Sequence, residues 1–372
     1  MTQLDREHLD YLTRHRDAAR QRLLAWFAAS ARDLPWRHAR TPYRVWVAEV
    51  MLQQTQVETV RAYYPRFLAA FPTVDALASA SQEAVLKVWE GLGYYRRARA
   101  LHAAAREVMA AHGGVLPRDV AALRALPGIG AYTAGAIASL AFGIPAPAID
   151  GNARRVLARI LAIASPTPAQ LEAAARVWLP EDAPGPFNEA LMELGATLCR
   201  PRAPLCEECP WRDLCRARQR AAVDAFPAPR PRRELPHFDV AAAVTLREDG
   251  RILVAQRRPE DMLGGLWEFP GGKCEPGETL PQALRRELQE ELAIEVYVGE
   301  QLTRVRHAYT HFRITLYAFA CRLEAGTPRC VECAAFRWAT LAEISALPMA
   351  VTDRKIARAV ATWLKADQSS GG

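Results

Sequence analysis

Leu126-Pro127-Gly128-Ile129-Gly130-Ala131-Tyr132-Thr133-Ala134-Gly135-Ala136-Ile137-Ala138, followed shortly by Ala148-Ile149-Asp150-Gly151-Asn152, decides the fold and chemistry of the first half of this chain. A helix that stops at Leu126, turns through Gly128-Ile129-Gly130 and restarts at Ala131 is a hairpin of two helices. The connecting turn carries glycines on both sides of Ile129, so little side chain obstructs an approaching anion. Backbone N–H groups there, with the positive end of the second helix, make a phosphate cradle. Asp150 follows about twenty residues later, at the start of a new helix beginning Ala153-Arg154-Arg155-Val156. A phosphate cradle followed by a positioned carboxylate points to chemistry on a nucleic-acid backbone or sugar.

The chain has 372 residues, half of them apolar, which is enough for two or three domains with full cores. Its net charge of +7, from 48 Lys and Arg against 41 Asp and Glu, leans toward a polyanionic partner. The N-terminus, Met1-Thr2-Gln3-Leu4-Asp5-Arg6-Glu7, lacks the basic and apolar regions of a secretory signal. The most apolar long stretch, Ala134 to Ile149, contains Gly135, Gly143, Pro145 and Pro147 and falls short of a membrane span. A soluble cytoplasmic protein with no membrane partner is expected, and in such a compartment thiols stay reduced. The eight cysteines therefore need an explanation other than disulfides.

Apolar periodicity predicts helices from Leu9 to about Ser30 and from Pro42 to Val57, the second with Thr41 as N-cap and Pro42 at its first position. Glu49 shares a face of that helix with Val45, Trp46 and Leu52, an unusual place for a carboxyl. Further helical patterns cover Val60 to Phe71, Val74 to Ala80 and Gln82 to Trp89, and Gly91-Leu92-Gly93-Tyr94-Tyr95 forms a glycine-punctuated aromatic turn before an Arg-rich helix. Residues 1–215 thus read as an all-helical domain. Residues 216–237 hold six Arg and four Pro and read as an extended basic linker. Beyond them, period-2 stretches at Val240–Leu246, Ile252–Gln256, Ile314–Cys321 and Phe336–Trp338 join helices at Leu280–Leu292 and Thr352–Lys365 in an α+β domain over 238–366. Residues 367–372 read as a disordered tail.

Cys199, Cys206, Cys209 and Cys215 form a C-x6-C-x2-C-x5-C run within seventeen residues, short enough to close on one centre. The spacing alone fits zinc and an iron-sulfur cluster equally. Arg200, Arg202, Arg212, Arg216 and Arg218 surround the run with positive charge, as suits a nucleic-acid contact. Cys330 and Cys333 form a lone CxxC without a second pair and read as incidental. Glu287, Glu290 and Glu291 share one helix face and bring enough oxygen for Mg2+ against a diphosphate.

Leu34-Pro35-Trp36, Glu49 to Val57, Gly91 to Tyr95, Leu126 to Gly130, Ile149 to Asn152 and the cysteine run, in this order and spacing across residues 34–215, resemble the adenine DNA glycosylase family of the helix-hairpin-helix glycosylase superfamily. The resemblance implies a [4Fe-4S] cluster on the four cysteines, mainly structural. It also implies that Glu49 protonates adenine while Asp150 stabilises, or transiently bonds to, the sugar carbon. Elementary chemistry agrees, because N-glycosidic cleavage needs a proton on the leaving base and a negative group beside the sugar. Desolvation should raise the pKa of Glu49, and the helix N-terminus should keep Asp150 ionised.

At position 132 the lyase-type relatives carry a nucleophilic lysine; Tyr132 cannot form that imine, so a monofunctional enzyme is expected. Tyr132 and Asn152 then position the sugar, water or Asp150. Gln54 and Tyr94 match family residues that insert near the opposite base once the target is flipped out. Gly128, Ile129 and Gly130 supply backbone contacts to phosphate.

Gly272-x5-Glu278-x7-Arg286-Glu287-Leu288-Gln289-Glu290-Glu291-Leu292-Ala293-Ile294, with the preceding Gly264 to Lys273, resembles the Nudix domain of MutT-type hydrolases and departs from its box at Ala293. In adenine glycosylases this domain reads 8-oxoguanine and usually lacks the metal-binding glutamates, which this chain keeps. The family's lesion-reading loop corresponds to Tyr309-Thr310-His311, where Thr310 retains the hydroxyl.

The expected activity is excision of adenine opposite 8-oxoguanine or guanine in duplex DNA by a monomer that associates with the bacterial nucleoid. Three readings compete with it: a bifunctional glycosylase/lyase for oxidised pyrimidines, a nucleotide pyrophosphohydrolase using Mg2+ at the Nudix box, and a non-catalytic DNA sensor.

Overall fold

The computed structural model describes residues 4–229 and 234–370, with side chains as far as residue 366. In chain order its helices are α1 (Arg6–Ser30), α2 (Pro42–Leu52), α3 (Val57–Ala70), α4 (Val74–Ser79), α5 (Gln82–Trp89), α6 (Arg96–His112), α7 (Val120–Ala125), α8 (Ala131–Phe142), α9 (Gly151–Leu161), α10 (Pro168–Trp178), α11 (Pro184–Thr197) and α12 (Arg216–Gln219). Then come β1 (His237–Leu246), β2 (Ile252–Gln256), β3 (Trp267–Glu268), β4 (Gly271–Lys273), α13 (Leu280–Leu292), β5 (Glu295–Ala308), β6 (Arg313–Ala325), β7 (Ala335–Ala339), α14 (Leu341–Ala346) and α15 (Val351–Ser370). The contacts divide the chain into two units, one of residues 1–79 with 103–231 and the other of residues 80–102 with 232–372.

The first unit is helical. Thr41 caps α2 through its hydroxyl and Pro42 occupies the first position, as the sequence predicts. The helix is buried nearly all round, from Val45 to Met51, so Glu49 sits on a central helix rather than on one apolar stripe. The helix before the hairpin ends at Leu126, and Gly128 turns the chain with φ 75°, a value that favours glycine. Small residues let α8 approach other backbone closely: a Cβ on Gly135 would lie 2.0 Å from the Pro147 carbonyl oxygen. Asn188 of α11 secures the strand-like run after α8, donating to Ala146 O at 2.8 Å and accepting from Ala148 N at 3.2 Å. One core cluster joins α1, α9, α10 and α11 to Trp211 and Leu214 of the cysteine loop.

The basic stretch after Cys215 is not extended. Residues 216–219 are helical, Arg159 donates to Phe226 O at 2.9 Å, and Ala228 N donates to Ala164 O at 2.7 Å. These bonds dock the first part of the expected linker onto α9, because its backbone finds partners there that an isolated Pro/Arg-rich segment lacks. Arg230 to Arg233, the middle of that linker, lie outside the described residues.

The second unit holds a mixed sheet ordered β3-β2-β1-β6-β5, with β4 also on β1 and β7 on β2; β1 and β6 run parallel. Alternate residues enter opposite cores: Ala242 and Val244 face α14 and α15, whereas Ala241 and Ala243 face α13. A fourteen-residue strand, β5, escapes sequence alternation because register shifts between Val298 and Thr303 interrupt its period. The last helix runs through residues 367–370, where a disordered tail was expected, since an anchored helix elongates cheaply. Gly371 and Gly372 lie outside the described residues. Cys330 and Cys333, read from sequence as incidental, form a disulfide.

Candidate active site

Glu49, Tyr132, Asp150 and Asn152 all belong to the first unit. Glu49 is 5% exposed, and burial pushes its carboxyl up to about 7 against the opposing effect of a hydrogen bond from Tyr132. The Tyr132 hydroxyl donates to Glu49 Oε2, with Met192 Sδ 3.4 Å away. Burial, and then the charges of Glu49 and Asp150, raise the Tyr132 phenol well above its ordinary value. It remains a proton donor throughout the neutral range.

Asp150 is the N-cap of α9. Its Oδ1 accepts from Ala153 N at 2.7 Å and its Oδ2 from Asn152 Nδ2 at 2.8 Å. Donors on both oxygens favour the ionised form. Burial raises the Asp150 carboxyl from its ordinary value, and these donors offset part of that effect.

Two further groups were missed in the sequence. Arg155 Nη2 donates to Asn152 Oδ1 at 2.8 Å and to Gly195 O at 2.7 Å, while its Nε donates to Cys199 O at 2.8 Å. It therefore ties the residue that orients Asp150 to the cysteine loop. Glu189, 7% exposed and paired with Arg37 at 3.0 Å and Arg40 at 2.6 Å, adds negative potential at Glu49. No local pattern marks it.

Gly128 and Gly130 are exposed and Ile129 is buried, so the hairpin presents backbone and anchors itself through one side chain. Gln54 is exposed with φ 59°. Tyr94 and Thr310, both in the second unit, meet at 2.9 Å between their hydroxyl oxygens, and Tyr309 is partly buried against Phe312 beside the exposed His311.

The thiols of Cys199, Cys206, Cys209 and Cys215 line one cavity with Val156, Leu198 and Trp211. Arg159 Nη1 lies 3.3 Å from Cys199 Sγ, and backbone N–H groups of Trp211, Ala217 and Arg218 address Cys209 and Cys215. Such donors suit thiolate ligands.

The Nudix glutamates are engaged with groups of their own domain. Glu287 Oε1 and Glu290 Oε2 each accept from Arg286 Nη1 at 3.0 Å, and Glu291 Oε2 accepts from Gly271 N at 3.3 Å. As placed, these side chains do not fit a Mg2+ ion, since the Arg286 guanidinium occupies Glu287 and Glu290 while Glu291 is turned to the Gly271 backbone.

Comparison with known proteins places these features. Residues 47–181 match the HhH-GPD superfamily of base excision DNA repair proteins, 199–215 the iron-sulfur binding domain of endonuclease III, and 241–359 the NUDIX domain. The chain is therefore a helix-hairpin-helix repair protein with an iron-sulfur loop and a NUDIX domain. The adenine DNA glycosylase of Homo sapiens is 38% identical over 401 residues, covering 92% of this chain and 73% of that protein. That of Rattus norvegicus is 38% identical over 400 residues, covering 92% and 77%. The chain belongs to the adenine DNA glycosylase family. Among solved structures, a thermostable thymine-DNA glycosylase is 30% identical with TM-score 0.53, covering 56% of this chain and 98% of that one. No helix among the described residues is long and apolar enough to cross a membrane.

Proposed function

We propose that this protein acts as a monomer on bacterial nucleoid DNA and hydrolyses the N-glycosidic bond of adenine opposite 8-oxoguanine or guanine without cleaving the strand. The observation that carries the reading is the pairing of a buried Glu49, raised to about 7, with an Asp150 whose oxygens both accept N–H donors. Glu49 gives its proton to the flipped adenine, the C1′–N bond breaks with its electron pair leaving on the base, and Asp150 stabilises the cationic sugar. Water then adds at C1′ and its proton returns to the Glu49 carboxylate. Tyr132 orients Glu49, Asn152 orients Asp150, and neither can form an imine with the sugar.

Gly128, Ile129 and Gly130 hold a phosphate through backbone. Gln54 and Tyr94 enter the duplex beside the opposite base, and the Tyr309-Thr310-His311 loop reads the lesion. The four cysteines hold a [4Fe-4S] cluster that orders the 199–215 loop. The Nudix domain serves recognition, and Glu287 and Glu290 serve its fold through Arg286.

The test is incubation of the full chain with duplexes carrying adenine opposite 8-oxoguanine, adenine opposite guanine, thymine glycol, or no lesion, read with and without alkali. Adenine release that yields breaks only after alkali is expected. Breaks without alkali, with borohydride trapping of a covalent adduct, would establish the bifunctional reading instead. Affinity should fall steeply with salt, as phosphate contacts require.

A further inference from the structure

Residues 80–102 lie among the helical sequence but belong by their contacts to the second unit. The α5 helix is tied to the sheet domain near both ends. Close to its start, Glu83 Oε2 accepts from Trp267 Nε1 at 3.0 Å. At its C-cap, Arg354 of α15 grips Glu90 with two parallel bonds, Nε to Oε1 and Nη2 to Oε2, the latter at 2.8 Å. Both side chains are under one-fifth exposed. Lys87 adds a bond to the same carboxylate at 3.1 Å and donates to Ser345 O at 2.6 Å and Leu347 O at 3.2 Å. Arg354 also reaches the carbonyls of Ile344, at 2.9 Å, and Leu347.

The turn Gly91-Leu92-Gly93-Tyr94 follows Glu90 directly. Tyr94 has φ 47°, a left-handed conformation that costs a non-glycine residue about 1 kcal/mol or more. Its ring is 42% exposed, and its hydroxyl meets Thr310 through an exposed bond that contributes only about 1 kcal/mol. The turn itself is held from within, since Trp89 Nε1 and Arg97 Nη2 donate to Gly93 O at 3.1 and 3.2 Å and the Arg97 guanidinium lies 5.3 Å over the Tyr94 ring, but the exposed bond to Thr310 adds little to the register of the turn against the 309–311 loop. The mostly buried fork between Arg354 and Glu90, directly before the turn, has the fixed bidentate geometry to set that register.

We infer that Glu90 and Arg354 form a positioning latch that sets discrimination of the base opposite the adenine, by fixing the Tyr94 turn against Thr310. The inference rests on the recognition roles proposed above for Tyr94 and Thr310. A merely structural ion pair would affect all substrates alike, whereas this latch governs the ratio between them.

The test uses the full chain and single-turnover adenine release from duplexes with adenine opposite 8-oxoguanine and opposite guanine. Glu90→Arg and Arg354→Glu should each lower the 8-oxoguanine preference about tenfold, and the double variant, which restores an opposite-charge pair, should recover part of it. Arg354→Lys keeps the charge and loses the fork, so an intermediate ratio is expected even if the reversals fold poorly. Amide exchange over residues 91–95 should rise in the single variants and fall again in the double. Wild-type protein without any 8-oxoguanine preference would overturn the recognition roles. A wild-type preference that survives Arg354→Lys and Glu90→Arg would overturn the latch alone.

Discussion

The hydroxyl of Tyr132 donates to Oε2 of Glu49 across 83 positions of sequence. Burial pushes the Glu49 carboxyl up to about 7, with Glu189 and Asp150 raising it further and the phenol and Arg40 pulling it down. The phenol thus pulls down the proton affinity of a carboxyl that burial pushes up.

On the role proposed above for Glu49 as the proton donor, the single-turnover rate should fall as pH rises through about 7. Glu49→Gln should lose at least about a hundredfold in rate and keep its affinity for DNA. A variant that turns over like wild type would show that another group is the acid.

Replacing Tyr132 by Phe removes a hydrogen bond that lowers the Glu49 pKa. The falling limb of the pH–rate profile should therefore move to higher pH, with the low-pH rate within about tenfold of wild type. A limb displaced toward lower pH would contradict the assigned direction.

Stability should carry the same signature. The folded chain keeps the Glu49 proton to about 7, against an ordinary value of 4.5, so it binds more protons than the unfolded chain between those values. Stability is then full below the ordinary value and declines as pH rises through the folded value, by on the order of 3 kcal/mol. Glu49→Gln should accordingly melt higher than wild type at pH 8 and similarly at pH 4, measured by thermal denaturation.

Gly195 of α11 abuts the N-terminus of α9: an added Cβ would lie 2.6 Å from Asn152 Cβ and 3.0 Å from its backbone. Gly195→Ala should cost about 1–3 kcal/mol and shift Asn152 away from Asp150. Slowed excision with retained DNA binding, alongside a lower melting temperature, is the expected outcome.

Removal of iron should act through Arg155, which joins Asn152 to the carbonyl of Cys199. Iron-depleted protein, or Cys209→Ser, should show early proteolysis within residues 199–215 and reduced excision per bound duplex. Unchanged proteolysis would dissociate the cluster from the order of this loop.

Much was legible in the chain because the relevant physics is local. Thr41-Pro42 starts a helix, Gly128 opens a turn, Asp150 caps α9, and alternation along β1 and β6 assigns their two faces. Glu49 betrayed itself by sitting among apolar neighbours. The place of Asp150 at the head of α9 is local and visible in the chain, whereas the burial that raises its carboxyl is set by the packing around it. Arg155 and Glu189 escaped notice, and β5 was missed where its register shifts break the period.

The sequence by itself determined the hairpin, the cysteine loop and the order of the two domains, since each depends on residues within a few positions of one another. Only the tertiary structure decided which distant groups meet: Tyr132 with Glu49, Arg155 with the Cys199 carbonyl, and Arg354 with Glu90 across 264 positions. Such pairings follow from how helices and sheet pack, and a side chain's charge or hydroxyl does not name its distant partner.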